Sequence, residues 1–88
     1  MIHDIIWRES AFEQMAQLTQ VFSDRAPKFS AALRHLNAML RRNPEAEGES
    51  REEPYRVGFF GLLTVYYRID TAKRIVYIVG VHMPPDRL

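Results

Sequence analysis

Between Tyr55 and His82 the chain reads YRVGFFGLLTVYYRIDTAKRIVYIVGVH, and this crowding of β-branched and aromatic residues limits the fold more than any other feature. Such side chains fit a pleated surface, so the stretch reads as consecutive strands. Gly58 and Gly61 bracket Phe59 and Phe60 at one reversal, and Asp70, Thr71, Ala72 and Lys73 supply a second. The outcome is a three-stranded antiparallel meander. A sheet of this kind needs its apolar face covered, and the residues before it must provide the cover.

Those residues carry the expected patterns. Residues 2–8, IHDIIWR, make a short strand with His3, Ile5 and Trp7 on one face and Ile2, Asp4, Ile6 and Arg8 on the other. Being apolar on both faces, it is expected inside the sheet or covered on both sides rather than at a free edge. Ser10 and Glu13 have the spacing of a capping box that opens a helix. Ala11, Met15, Leu18 and Phe22 form its apolar stripe, with Gln14, Gln17 and Gln20 away from it, and its end is expected near Ser23 or Asp24. Pro27 belongs in a helical first turn, so a second helix starts near Ala26, with Ser23 or Asp24 available as a cap. Phe29, Leu33, Leu36 and Leu40 repeat the stripe, Lys28, Arg34, His35, Arg41 and Arg42 form a basic outer face, and Pro44 ends the helix. The two helices are expected to pair as an antiparallel hairpin on the sheet.

In the strand Leu62 to Ile69, the residues Leu63, Val65, Tyr67 and Ile69 point to the core, and Leu62, Thr64, Tyr66 and Arg68 point away. The last strand, Arg74 to His82, leaves its inner face open between Val76 with Ile78 and Ile75 with Tyr77, Val79 and Val81. Gly80 is the candidate bulge that switches the register.

At 88 residues this is a single domain, 1–88, able to bury roughly 60–65% of its unfolded surface. The absence of cysteine excludes disulfides and thiolate metal sites, and His3 and His35 have no partners at ligand spacing, so neither a metal nor another cofactor is expected. The N-terminus has no signal-peptide pattern, and the longest nearly uncharged run, Val57 to Tyr67, is far shorter than the ~20 residues of a membrane span. The chain reads as cytoplasmic, with no membrane contact. Residues 44–53, PEAEGESREE, hold five Glu and one Arg, and form an acidic, mobile loop beside a body of net charge +5. That balance permits nucleic-acid contact without requiring it.

Three segments resemble the RelE/ParE superfamily, the toxins of bacterial type II toxin–antitoxin pairs and plasmid-stabilisation systems. They are Trp7-Arg-Glu-Ser-Ala11-Phe-Glu-Gln-Met15, the helix end Leu36-Asn-Ala-Met-Leu40-Arg-Arg-Asn-Pro44, and Gly61-Leu-Leu-Thr-Val-Tyr-Tyr67-Arg68-Ile69-Asp70 with the strand that follows. The resemblance implies an α+β fold with an N-terminal strand and a helix hairpin packed on a mainly antiparallel four-stranded sheet. It also implies a cognate antitoxin, and as target either the ribosome and its mRNA or DNA gyrase. Oligomeric state is left open.

For a metal-independent endoribonuclease, an mRNA interferase, the chemistry needs a group to activate the ribose 2′-hydroxyl, cations for the phosphorane and an acid for the leaving oxygen. The resemblance places such groups on the exposed sheet face, and the candidates are Arg56, Tyr66, Arg68 and His82, with Arg51 and Arg74 nearby. The family arginine expected three residues before Tyr67 is replaced by Thr64. The structural alternatives are a solvated strand-end histidine for His82, a fold anchor for Arg68 and a half-buried strand aromatic for Tyr66. Ribosome-dependent RNA cleavage is the leading reading. A non-catalytic gyrase inhibitor using exposed apolar residues such as Met83 and Leu88, or a degenerate protein-binding member of the family, stands as the alternative.

Overall fold

The strands and helices follow in the order β1 (Asp4–Trp7), α1 (Glu9–Val21), α2 (Ala26–Arg42), β2 (Glu49–Ser50), β3 (Tyr55–Phe60), β4 (Leu63–Asp70) and β5 (Ile75–His82). The computed structural model describes residues 2–46, 49–50 and 54–85. Of the acidic segment, residues 47, 48 and 51–53 lie outside this description, and so do Arg51 and Leu88. The sheet runs β1-β5-β4-β3-β2, antiparallel except for the β1–β5 pair. The expected meander is β3–β4–β5, the N-terminal strand joins it, and β2 adds a two-residue edge.

Alternation along β4 decides which side of the sheet becomes core. Leu63, Val65, Tyr67 and Ile69 are buried against the helices together with Phe60, Val76 and Ile78. From the helices, Ala11, Met15, Phe29, Ala32, Leu36 and Leu40 complete this core, so both expected apolar stripes face the sheet. Leu33 is only half-buried, and Ala32 takes the central place instead. The reason is the β3–β4 turn. Gly61 has φ of 59°, and a Cβ there would stand 3.1 Å from the Ala32 Cβ, so α2 meets the turn through a small residue. A positive φ at the first central residue of a two-residue hairpin loop is the position that glycine fills at no steric cost. The reversal is thus at Gly61 and Leu62, with Gly58 inside β3 rather than bracketing the turn.

The helix termini depart from the expected chemistry. Arg8 is the N-cap of α1 and makes no side-chain capping bond, so Ser10 sits in the first turn and forms no capping box with Glu13. The α-helix stops at Val21, a 3-10 turn over Ser23–Arg25 follows, and α2 begins at Ala26 with Pro27 in its first turn. Its N-cap is Arg25, again without a side-chain capping bond, rather than Ser23 or Asp24. At the other end of α2 the buried Tyr67 hydroxyl donates to the Pro44 carbonyl at 2.9 Å, tying the helix exit to the middle of β4.

β1 is an edge strand and not an interior one. Ile5 and Trp7 pack against the core, while Ile2 and Ile6 remain 65% and 43% exposed on the other side. The His3 amide donates to the Arg41 carbonyl at 2.7 Å, so the strand entrance is held by the last turn of α2 rather than by another strand. No helix among the described residues is long and apolar enough to cross a membrane.

Gly58 also has a packing role. An added Cβ would lie 2.6 Å from Cε2 of Phe60 and 3.3 Å from Cε1 of Tyr67, both fully buried rings. Phe60 is further held by the edge-on ring of His35, with centroids 5.7 Å apart. Gly58→Ala is therefore expected to cost about 1–3 kcal/mol through overpacking. Urea denaturation should show a lower midpoint at unchanged slope. In a Phe60→Leu background the added cost should shrink, because the clashing ring edge is gone.

Candidate functional site

The face of the sheet opposite the helices is set by the pairing of β4 with β5. Tyr67 opposes Ile78, but Tyr66 opposes Gly80, so Val79 is an extra residue and the register shifts there. The bulge was expected at Gly80, but Gly80 is paired and Val79, one residue earlier, is the extra residue that settles the parity of the last strand. Val76 and Ile78 point inward before the bulge, Val81 and Met83 point inward after it, and Ile75, Tyr77 and His82 lie on the outer face. His82 opposes Thr64 and is exposed.

On this face β4 presents Thr64, Tyr66, Arg68 and Asp70 in succession. Thr64 is 6% exposed, between Phe59 of β3 and His82 of β5, so this position carries no exposed cation. Tyr66 is 43% exposed and lies between the Thr64–His82 pair and Arg68. At about 3.4 Å per residue the Cα atoms of Thr64 and Arg68 stand about 14 Å apart, with Tyr66 midway. Tyr55 opposes Arg68 and Phe59 opposes Thr64, and both rings are about half exposed. The face is thus a pleated array of accessible aromatics with a histidine at one end and cations at the other.

Two residues that the sequence reading did not single out belong to it. Tyr77 opposes Arg68, whose guanidinium carbon lies 4.4 Å from the centroid of the tyrosine ring. Arg8, at the end of β1, places its guanidinium carbon 4.8 Å from the same centroid. Because β5 runs between β4 and β1, the two cations approach Tyr77 from opposite flanks. No local spacing signals this cluster, since it joins three strands and depends on the register below the bulge.

The last turn of β5 is held by a helix. β1 ends where the Arg8 amide donates to the Ile78 carbonyl, and beyond that point the Val81 amide donates to Oε1 of Gln14 at 2.9 Å. A glutamine away from the apolar stripe of α1 thereby fills the role of a missing neighbouring strand and fixes the backbone beside His82.

Other candidates do not join the cluster. Arg56 opposes Tyr67, whose side chain is in the core, so Arg56 has the parity of the helix side. It lines a cleft with Glu45, Pro54, Ile69 and Thr71 at the sheet end, on the face opposite Tyr66, Arg68 and His82. Its assignment to the exposed face is corrected by the two-residue repeat of β3. Arg74 is in the turn before β5, with φ of 56°, and its carbonyl accepts from the Asp4 amide at 2.9 Å, at the opposite end of the strand from His82. Met83 is 5% exposed and part of the core, not an exposed apolar contact. Lys28, Arg34, His35, Arg41 and Arg42 are exposed along α2, as their spacing indicated. No group of three or more potential metal-ligating side chains occurs among the described residues.

No family model and no curated protein matches the sequence. Solved structures do match the fold. The toxin–antitoxin complex RelBE2 from Mycobacterium tuberculosis superposes with a TM-score of 0.75 at 22% identity, over 96% of this chain and 100% of the matched one. The chromosomal ParDE toxin–antitoxin system of P. aeruginosa gives 0.69 at 8% identity over 93% and 96%. A double arginine-to-alanine mutant of the E. coli toxin RelE in the free state gives 0.68 at 13% identity over 98% and 87%. In strand order, helix placement and near full-length superposition, the chain has the fold of the RelE/ParE toxins.

Proposed function

We propose that this chain is the toxin of a toxin–antitoxin pair that stops translation by cleaving mRNA on the ribosome, and that a cognate antitoxin neutralises it. The observation that carries the reading is the bulge-dependent placement of His82 on an exposed sheet face with Tyr66 and Arg68 along the neighbouring strand. Cleavage of this kind moves a proton from the ribose 2′-hydroxyl, forms a bond from that oxygen to phosphorus, and breaks the bond to the 5′-oxygen, which takes up a proton. His82 and Tyr66 supply the proton-transferring groups, and histidine is the side chain most often used for that task. Arg68 supplies positive charge for the RNA backbone. Arg56 has no part in it.

A non-catalytic gyrase inhibitor is the second reading, favoured by the buried Thr64 where an arginine would stand. Pulse labelling after induced expression in a bacterial host, with a folding check on the purified protein, separates the two. An early fall in methionine incorporation is the expected result. An early fall in thymidine incorporation alone assigns the gyrase reading instead, and no fall in either with folded, abundant protein removes both.

A further inference from the structure

Tyr77 gathers two cations that no carboxylate among the described residues neutralises. Among the described residues neither Arg8 nor Arg68 makes an ion pair, although Asp4 and Asp70 share their face of the sheet. Their distances from the ring centroid keep the two guanidiniums within about 10 Å of each other, the Debye length at 0.1 M salt, so their repulsion is not fully screened. An aromatic face attracts each cation, but more weakly than a bidentate anion would. The sum, among the described residues, is two guanidiniums without ion-pair partners held on either side of one ring on an accessible face.

We propose that Arg8 and Arg68 form a clamp for neighbouring backbone phosphates of single-stranded RNA to one side of the bond that is cut, one guanidinium to each, with Tyr77 as the residue that positions both. This rests on the RNA reading above. The planar guanidinium fork matches the phosphate oxygens. The neighbours of the clamp fit a single strand, because Tyr55 and Tyr66 are exposed rings on which unpaired bases stack. Arg68 lies about 14 Å along β4 from the Thr64–His82 pair, so the clamp grips flanking phosphates and not the one attacked. Its work is to hold the strand across Tyr66 while His82 acts further along.

The test is binding of a 2′-O-methylated decauridine, which cannot be cleaved, measured by fluorescence anisotropy over a salt series. Arg8→Gln and Arg68→Gln are each expected to weaken binding several-fold and to lower the slope of log affinity against log salt by about 0.7. Tyr77→Leu should reproduce part of that loss, and Tyr77→Phe, which keeps the aromatic face, should restore it. A purely structural role for Tyr77 would not move the salt slope. If the wild type binds but the slope is indifferent to Arg8→Gln, the clamp is overturned and the RNA reading survives. If Arg8→Gln lowers the slope while folded Tyr77→Leu does not, the positioning role is overturned, and if the wild type does not bind the decauridine at all, the clamp is overturned while the ribosome-dependent reading still stands or falls on the pulse labelling. Arg8 is exposed, so its variant remains informative even where Tyr77→Leu fails to fold.

Discussion

Leu36→Ala is expected to remove about 2–5 kcal/mol of stability, the range for deleting a fully buried leucine and leaving a cavity. Leu36 has no exposed surface and sits in the middle of α2, in the core that the helices share with the inner face of β3, β4 and β5. A domain of this size is stable by roughly 4–13 kcal/mol, at about 0.05–0.15 kcal/mol per residue, so the substitution removes a large share of the total. Leu36→Met keeps the volume and should cost less than about 1.5 kcal/mol. Urea denaturation followed by circular dichroism measures both. A Leu36→Ala loss under about 0.5 kcal/mol would show that α2 does not pack on the sheet as described.

The core was legible in the sequence where one periodicity dominated. β4 alternates without ambiguity, and all four residues assigned to its inner face are buried. The helix stripes are equally plain, apart from the exchange of Leu33 for Ala32, which depends on the approach of Gly61 across the fold and leaves no trace in helical spacing. β1 misled because being apolar on both faces is compatible with an interior strand. Its outer residues are in fact left exposed, since parallel pairing with β5 places it at the edge.

The site was harder to read than the core because parity in a strand is lost with a single error. YRVGFF has no clean alternation, and the helix-side parity of Arg56 follows only from the opposing Tyr67. Tyr66, Arg68 and His82 do share a face, but for His82 this rests on Val79. Arg8 and Tyr77 leave no sign in the sequence because a cation over a ring on another strand is a property of register. In sequence Gln14 is indistinguishable from Gln17 and Gln20 away from the apolar stripe, and its bond from the Val81 amide depends on β1 stopping short of the end of β5.

His82→Ala is expected to lower RNA cleavage by about 10²–10⁴-fold, the usual contribution of a positioned general acid or base, with little change in stability because the side chain is exposed. That range corresponds to about 3–5 kcal/mol in the barrier. The bulge is what makes this testable. Had β5 continued in the register of the Tyr67–Ile78 pair, His82 would oppose Leu63 and point into the core. The extra residue Val79 makes it oppose Thr64 and point out. Free imidazole should restore part of the activity of His82→Ala if the missing group transfers a proton. Arg56→Ala, on the other face, should cleave at the wild-type rate once equal amounts of folded protein are compared. The opposite pattern, with Arg56 essential and His82 dispensable, would place the chemistry at the helix-side cleft and end the case for the outer face.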